Sequence, residues 1–178
     1  MKKNYATKIL TALTFLFFQL GFSQTTTWTG ASWDNGVPTI TVDAIISSGT
    51  CPILVDTEVK SIIIQDGAVL SVDESITLTI QDNIQVLGSG QFIVNNNASI
   101  LQNNASAVNV GNITYRRNAT PMIQYDYTYW SSPVAGQVLN VFSPLTLSDK
   151  FYSFNTVTNS WVLESPTNTM QIGKGYAV

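Results

Sequence analysis

The side chains that could do chemistry are few and of restricted type. The chain of 178 residues contains no histidine and one cysteine, Cys51. That removes Ser-His and Cys-His nucleophile pairs and every zinc cluster built on those ligands. Carboxylates remain: Asp66, Asp73, Glu74 and Asp82, followed in the chain by the basic pair Arg116-Arg117. Carboxylates holding calcium beside a basic residue would suit cleavage of an acidic polysaccharide by a lyase. The same acids, however, sit in turn sequences such as Asp66-Gly67 and Asp82-Asn83, where an Asp side chain bonds the local backbone. No convergent group of charges accompanies them, so the sequence reads as non-catalytic, with no metal and no cofactor. Aromatic rings offer a second chemistry, stacking on sugar rings, and the candidates are Trp28, Trp33, Tyr127, Tyr129 and Trp130.

The elements that must position these groups are short β-strands. From Ser61 to Arg116, runs of β-branched and aliphatic residues (Ile62 to Ile64, Val69 to Val72, Ile76 to Ile80, Ile84 to Leu87, Gln91 to Val94, Ser99 to Leu101) alternate with turns rich in Asp, Asn and Gly. This spacing leaves no room for a helix. Sliding the segment by 22 positions brings Ile62 onto Ile84, Ile64 onto Val86, Leu70 onto Phe92, Val72 onto Val94 and Leu78 onto Ile100. Turn residues match as well, Asp73 with Asn95 and Asp82 with Asn104. Three short strands per period of that length fit one coil of a parallel β-helix, each strand pairing with its equivalent one coil away. The fold class is therefore all-β: a short β-solenoid followed by an aromatic-rich β segment. A β-sandwich of hairpins is the alternative, and it accounts for the alternation of residues but not for the match at 22. The same offset maps Ile40 and Val42 onto Ile62 and Ile64, which extends the expected solenoid back by one coil. Trp28 and Trp33 then read first as a cap over its open end, because an uncovered terminal coil exposes both core and strand edge.

The chain opens with Lys2, Lys3 and Lys8 ahead of an apolar run from Ile9 to Phe18, then Leu20, Gly21 and Ser23. This pattern predicts a secretory signal peptide over residues 1–24, too short for a membrane span, with cleavage near Ser23 or Gln24. Its removal leaves five basic residues against eleven acidic ones, a net charge of −6. Such a surface repels nucleic acid and anionic membrane. The expected location is secreted or on the outer cell surface, and the expected partners are extracellular glycans or surface proteins. Asn97, Asn104, Asn112 and Asn118 begin Asn-x-Ser/Thr triplets, which read here as Asn-rich turns. Cys51, between Thr50 and Pro52, reads as a buried apolar filler.

Beyond Arg117 the period is lost and aromatic residues concentrate, among them Tyr125, Tyr127, Tyr129, Trp130, Phe151, Tyr152, Phe154, Trp161 and Tyr176. The predicted division is residues 25–117 as solenoid with its Trp cap and 118–178 as an incomplete β module. Strands are expected over 124–130, 150–154, 160–163 and 174–178, with a hairpin around Asn155 to Asn159.

The segments TWTGASWDNGVP, SIIIQDGAVLSVDESITLTI, ITYRRNATPMIQYDYTYWSSPVAGQ, KFYSFN and GKGYAV together resemble the N-terminal part of large secreted flavobacterial (Bacteroidetes) surface proteins. Such proteins are commonly exported by the type IX secretion system and carry a C-terminal sorting domain. The resemblance implies a non-catalytic structural or adhesin-like protein, and a chain that continues past Val178, where no sorting domain has yet appeared. The alternative is a carbohydrate-binding module of a secreted polysaccharide-active protein.

Overall fold

The computed structural model describes residues 24–123 and 125–178. The predicted signal peptide lies outside the described residues up to residue 23. Parallel coils build the first part. A first face stacks β1 (Gln24–Trp28), β2 (Val42–Ile46), β5 (Ile62–Ile64) and β8 (Ile84–Val86). The second stacks β3 (Thr50–Ile53), β6 (Val69–Val72), β9 (Gln91–Val94) and β11 (Ile113–Tyr115), and the third β4 (Thr57–Val59), β7 (Thr77–Ile80) and β10 (Ser99–Gln102). Every pairing within these faces is parallel.

Alternation of side chains explains why these short runs become strands. Ile62, Ile64, Leu70, Val72, Leu78 and Ile80 point inward and are buried, while Ile63, Ser71 and Thr79 between them face outward. One coil on, Phe92 and Val94 repeat the columns of Leu70 and Val72. Strand pairs Ile62↔Ile84, Leu70↔Phe92 and Leu78↔Ile100 all sit at the offset of 22 that the sequence carries. Parallel pairing throughout excludes the hairpin sandwich.

The coil before residue 60 departs from that offset. Ala44 and Ile46, not Ile40 and Val42, pair with Ile62 and Ile64, an offset of 18. The next face is offset by 19, Cys51 with Leu70, and the third by 21, Thr57 with Leu78. Each corner of this coil is shorter than its successor's: three residues separate β2 from β3, where four separate β5 from β6. Its section is accordingly narrower, and Ala44 and Cys51 supply smaller core side chains there.

Between β1 and β2 the chain makes a 13-residue loop over the narrow end. Trp33 bridges back to Trp28, with the two indoles edge-on at 5.6 Å. Thr26 donates its hydroxyl to the Gly36 carbonyl at 2.6 Å, and Asp34 accepts the Thr27 amide at 2.7 Å. Trp33 and Pro38 thereby close over Ala44, Ile46, Ile53 and Val59, leaving a cavity of only about 10 Å³.

The second part is antiparallel. β12 (Tyr129–Trp130), β15 (Tyr176–Ala177), β13 (Tyr152–Asn155) and β14 (Ser160–Leu163) form one sheet in that order. The expected hairpin joins β13 to β14. A single turn of helix, α1 (Leu139–Phe142), packs Leu139 with Phe151, Met170, Tyr176 and Val178 under the sheet. The sequence reading contained no helix here.

Candidate functional site

Of the carboxylates that could have served a lyase, Asp66 and Asp82 tie neighbouring coils together at their corners, and Asp73 and Glu74 lie exposed in the corner before β7. Asp66 accepts both the backbone amide and the hydroxyl of Ser89, at 2.7 and 2.8 Å. Asp82 accepts the side-chain amide of Asn104 at 2.8 Å. The Ser89 bonds, the amide first, hold the Asp66 carboxyl below its ordinary range. Arg117 spends its guanidinium on carbonyls, Ala98 at 2.7 Å and Asn95 at 3.1 Å, and lies over the Tyr115 ring at 4.6 Å. Arg116 reaches the Asn95 side chain at 3.3 Å. Among the described residues no group of three or more His, Cys, Asp or Glu is placed to hold a metal ion.

The aromatic residues are gathered by the antiparallel sheet. Register lines up Tyr129, Ala177, Tyr152 and Leu163 in one row across the four strands, and Trp130, Tyr176, Ser153 and Val162 in the next. Because successive residues of a strand face opposite sides, the first row is outward and the second inward. Tyr127 keeps the parity of Tyr129, and Phe154 with its cross-strand partner Trp161 keeps that of Tyr152. One outer face therefore carries Tyr127, Tyr129, Tyr152, Phe154 and Trp161.

These five rings form a shelf of two contacting groups on one outer face. Phe154 meets Trp161 edge-on at 5.2 Å, Tyr129 lies tilted to Trp161 at 6.2 Å, and Tyr127 meets Tyr152 at 6.1 Å. Edge-on and tilted contacts of this kind are favoured arrangements of aromatic pairs. Tyr129 remains 73 % exposed and Trp161 52 %. Between Tyr127, Tyr129, Tyr152, Trp161 and Ala177 lies a depression of about 310 Å³. Lys150 borders it and is paired to Asp149 at 2.6 Å, a hydrogen bond that raises the lysine and lowers the aspartate from their ordinary values. The lining itself carries no charge.

Of the residues singled out in the sequence, Tyr127 and Tyr129 lie on this shelf. Trp130 takes the opposite parity, packs against Phe142 at 5.2 Å, and donates its indole N–H to the Thr128 hydroxyl at 2.7 Å. Trp28 and Trp33 are half-buried against the solenoid core at the other end of the chain. Tyr152, Phe154 and Trp161 were not selected from the sequence as site residues. The signal available was the alternation Tyr152-Ser153-Phe154, which places two rings on one face as soon as the strand is assigned.

Residues 21–178 match the family described as a domain of unknown function, DUF8693. The chain belongs to that family. No curated protein and no solved structure matches it. The DUF8693 match takes in both the parallel coils and the antiparallel sheet with its shelf.

Proposed function

We propose that this DUF8693 protein is a non-catalytic, adhesin-like protein, secreted or displayed on the outer cell surface, that holds neutral glycans on the shelf of its antiparallel sheet. The observation that carries the reading is the five-ring outer face. Exposing Tyr127, Tyr129, Phe154 and Trp161 to water forgoes apolar burial, on the order of 1.5–3 kcal/mol for a ring of phenylalanine size, and ring stacking against a sugar would recover part of it. Tyr hydroxyls and the Trp161 indole N–H at the rim provide hydrogen bonds for sugar hydroxyls. The uncharged lining favours neutral over acidic glycans. The coils supply a rigid spacer, as solenoids do when each repeat rests only on its neighbours.

The resemblance to flavobacterial surface proteins supports the export reading and extends it to a longer polypeptide sent out by type IX secretion. A leader with three lysines ahead of an apolar run supports passage across the inner membrane. Among the described residues no helix is long and apolar enough to cross a membrane.

The test is affinity electrophoresis of the mature protein in gels containing soluble neutral polysaccharides, xyloglucan, mixed-linkage β-glucan and galactomannan, with Trp161→Ala and Tyr129→Ala as variants. Retardation by at least one polysaccharide is expected, weakened tenfold or more by Trp161→Ala, about 1.4 kcal/mol. Unchanged circular dichroism would show that the variant still folds. Equal retardation of both variants and the parent would remove the shelf from the function. Protease treatment of intact cells addresses location separately, and an epitope protected until lysis would refute surface display.

A further inference from the structure

The fourth turn of the solenoid is incomplete, and its missing part forms a cleft. Coils one to three each lay a strand on the third face, β4, β7 and β10 in succession. The next turn supplies Val110 on the first face, bridged to Gln85, and β11 on the second. Among the described residues nothing pairs with the far side of β10, which is the edge of its sheet. The chain's own residues at the expected offset of 22 from Ile100 and Leu101 are Met122 and Ile123. Both lie exposed and outside any strand.

The edge is open in its hydrogen bonds as well as its side chains. Ser99 and Asn103 donate their amides back to Ile76 and Ile80 of the preceding coil. Alternate residues of a parallel strand point their N–H and C=O groups the other way, so those of Ile100 and Gln102 are directed out along the solenoid axis. They open onto a space of about 730 Å³, floored by Ile84, Ile100 and Ile113 and walled opposite by the loop from Pro133 to Gln137. The polar side chains around it are the carboxamides of Gln102, Asn109, Asn112 and Gln137 and the phenol of Tyr115, and no charged side chain lines it. Gln102 and Asn109 bond each other reciprocally at 2.9 Å, and Asn109 also accepts the Ile84 amide at 2.9 Å. Gln137 donates its side-chain amide to the Val138 carbonyl at 3.1 Å, and its backbone carbonyl accepts the Met170 amide at 2.7 Å.

We infer that this cleft is a strand-acceptor site: it takes an extended, uncharged segment of another polypeptide, added in parallel to β10 as the absent strand of the fourth turn. The ladder dictates the register. A residue of the incoming strand falls over Ile100 as Ile100 falls over Leu78, and it must be aliphatic to cover Ile84, Ile100 and Ile113. Two positions on, the residue falls over Gln102, where a small or amide side chain meets the Gln102–Asn109 pair. Main-chain groups supply affinity in such strand addition, and the side-chain pocket supplies selectivity. A peptide backbone, neutral and alternating donor with acceptor, matches an edge and a wall that carry both and no charge. This site is separate from the glycan shelf, and neither depends on the other.

The probe is a synthetic hexapeptide with the sequence of residues 98–103, capped at both ends, since that segment already fills the equivalent place one coil earlier and carries Ile100 and Gln102 at the two specified positions. It is titrated into the isotopically labelled mature protein and followed by amide shifts and hydrogen exchange. Shifts and slowed exchange are expected at Ile100 and Gln102. Ala135→Trp, on the exposed wall loop, fills the cleft without touching the core, and is expected to weaken binding tenfold or more. Trp161→Ala on the shelf is expected to leave it unchanged. No response at millimolar peptide, a response indifferent to Ala135→Trp, or the same shifts produced by xyloglucan oligosaccharides would each overturn the assignment.

Discussion

Exchanging residues between adjacent coils tests the stacked columns more sharply than any single deletion. Phe92 is 1 % exposed and lies directly over Leu70 of the coil before and under Ile113 of the turn after. A buried ring of this kind withdraws roughly 200 Å² of side chain from water, worth about 5 kcal/mol at ~25 cal/mol per Å² as an upper bound. Phe92→Ala should therefore cost about 3–5 kcal/mol, a large share of the ~5–15 kcal/mol available to a whole domain. The swap Leu70→Phe with Phe92→Leu keeps the one ring and the total volume within the column and should cost under about 1.5 kcal/mol. Guanidinium titration followed by tryptophan fluorescence and far-ultraviolet circular dichroism reads both differences. A Phe92→Ala cost below about 1 kcal/mol, or a swap as damaging as the truncation, would mean that the two side chains do not share one column.

Other consequences are equally direct. Gly111 has φ +87°, and a methyl group there would meet the Val86 carbonyl, so Gly111→Ala should destabilise the last turn by about 2 kcal/mol or more, adding left-handed strain to a backbone clash. The loss should appear first as fast exchange of the Val86 amide, which donates to Val110. Asp66 titrates below its unfolded value, so its contribution is complete above that unfolded value and disappears as the pH falls through the folded one. Wild type should accordingly lose more stability between about pH 5 and pH 3 than Asp66→Ala, measured as denaturation midpoints at each pH. Burial pushes the Cys51 thiol up to about 12, so it should resist a thiol reagent at pH 8 in the native protein and react at once in guanidinium.

Much of the fold was legible because solenoid coils repeat both core and corner. Leu70 and Phe92, or Asp82 and Asn104, occupy equivalent places, and a constant offset of 22 exposes them. The reading failed at Ile40 and Val42 because the first coil has shorter corners, and a fixed offset cannot register a period that shrinks to 18. Composition gave no warning, since Ile40-Thr41-Val42 is as β-prone as Ala44-Ile45-Ile46. The shelf was half legible. Tyr127 and Tyr129 alternate within one run, whereas Trp161 joins them only through the order β12-β15-β13-β14, a pairing of distant segments that no local pattern carries. Trp130 shows the limit of composition, for its neighbour Tyr129 has the same aromatic character and the opposite side of the sheet.

The loop around Trp33 gives the molecule a direction. The narrow end is sealed by residues close to the start of the described chain, while the wide end still offers an unpaired edge. A polypeptide emerging N-terminus first thus makes its stopper before its stack, and every following turn of 18 to 25 residues settles on a finished template. Free energy is released turn by turn as the chain arrives. The same asymmetry confines later growth of the stack to one end.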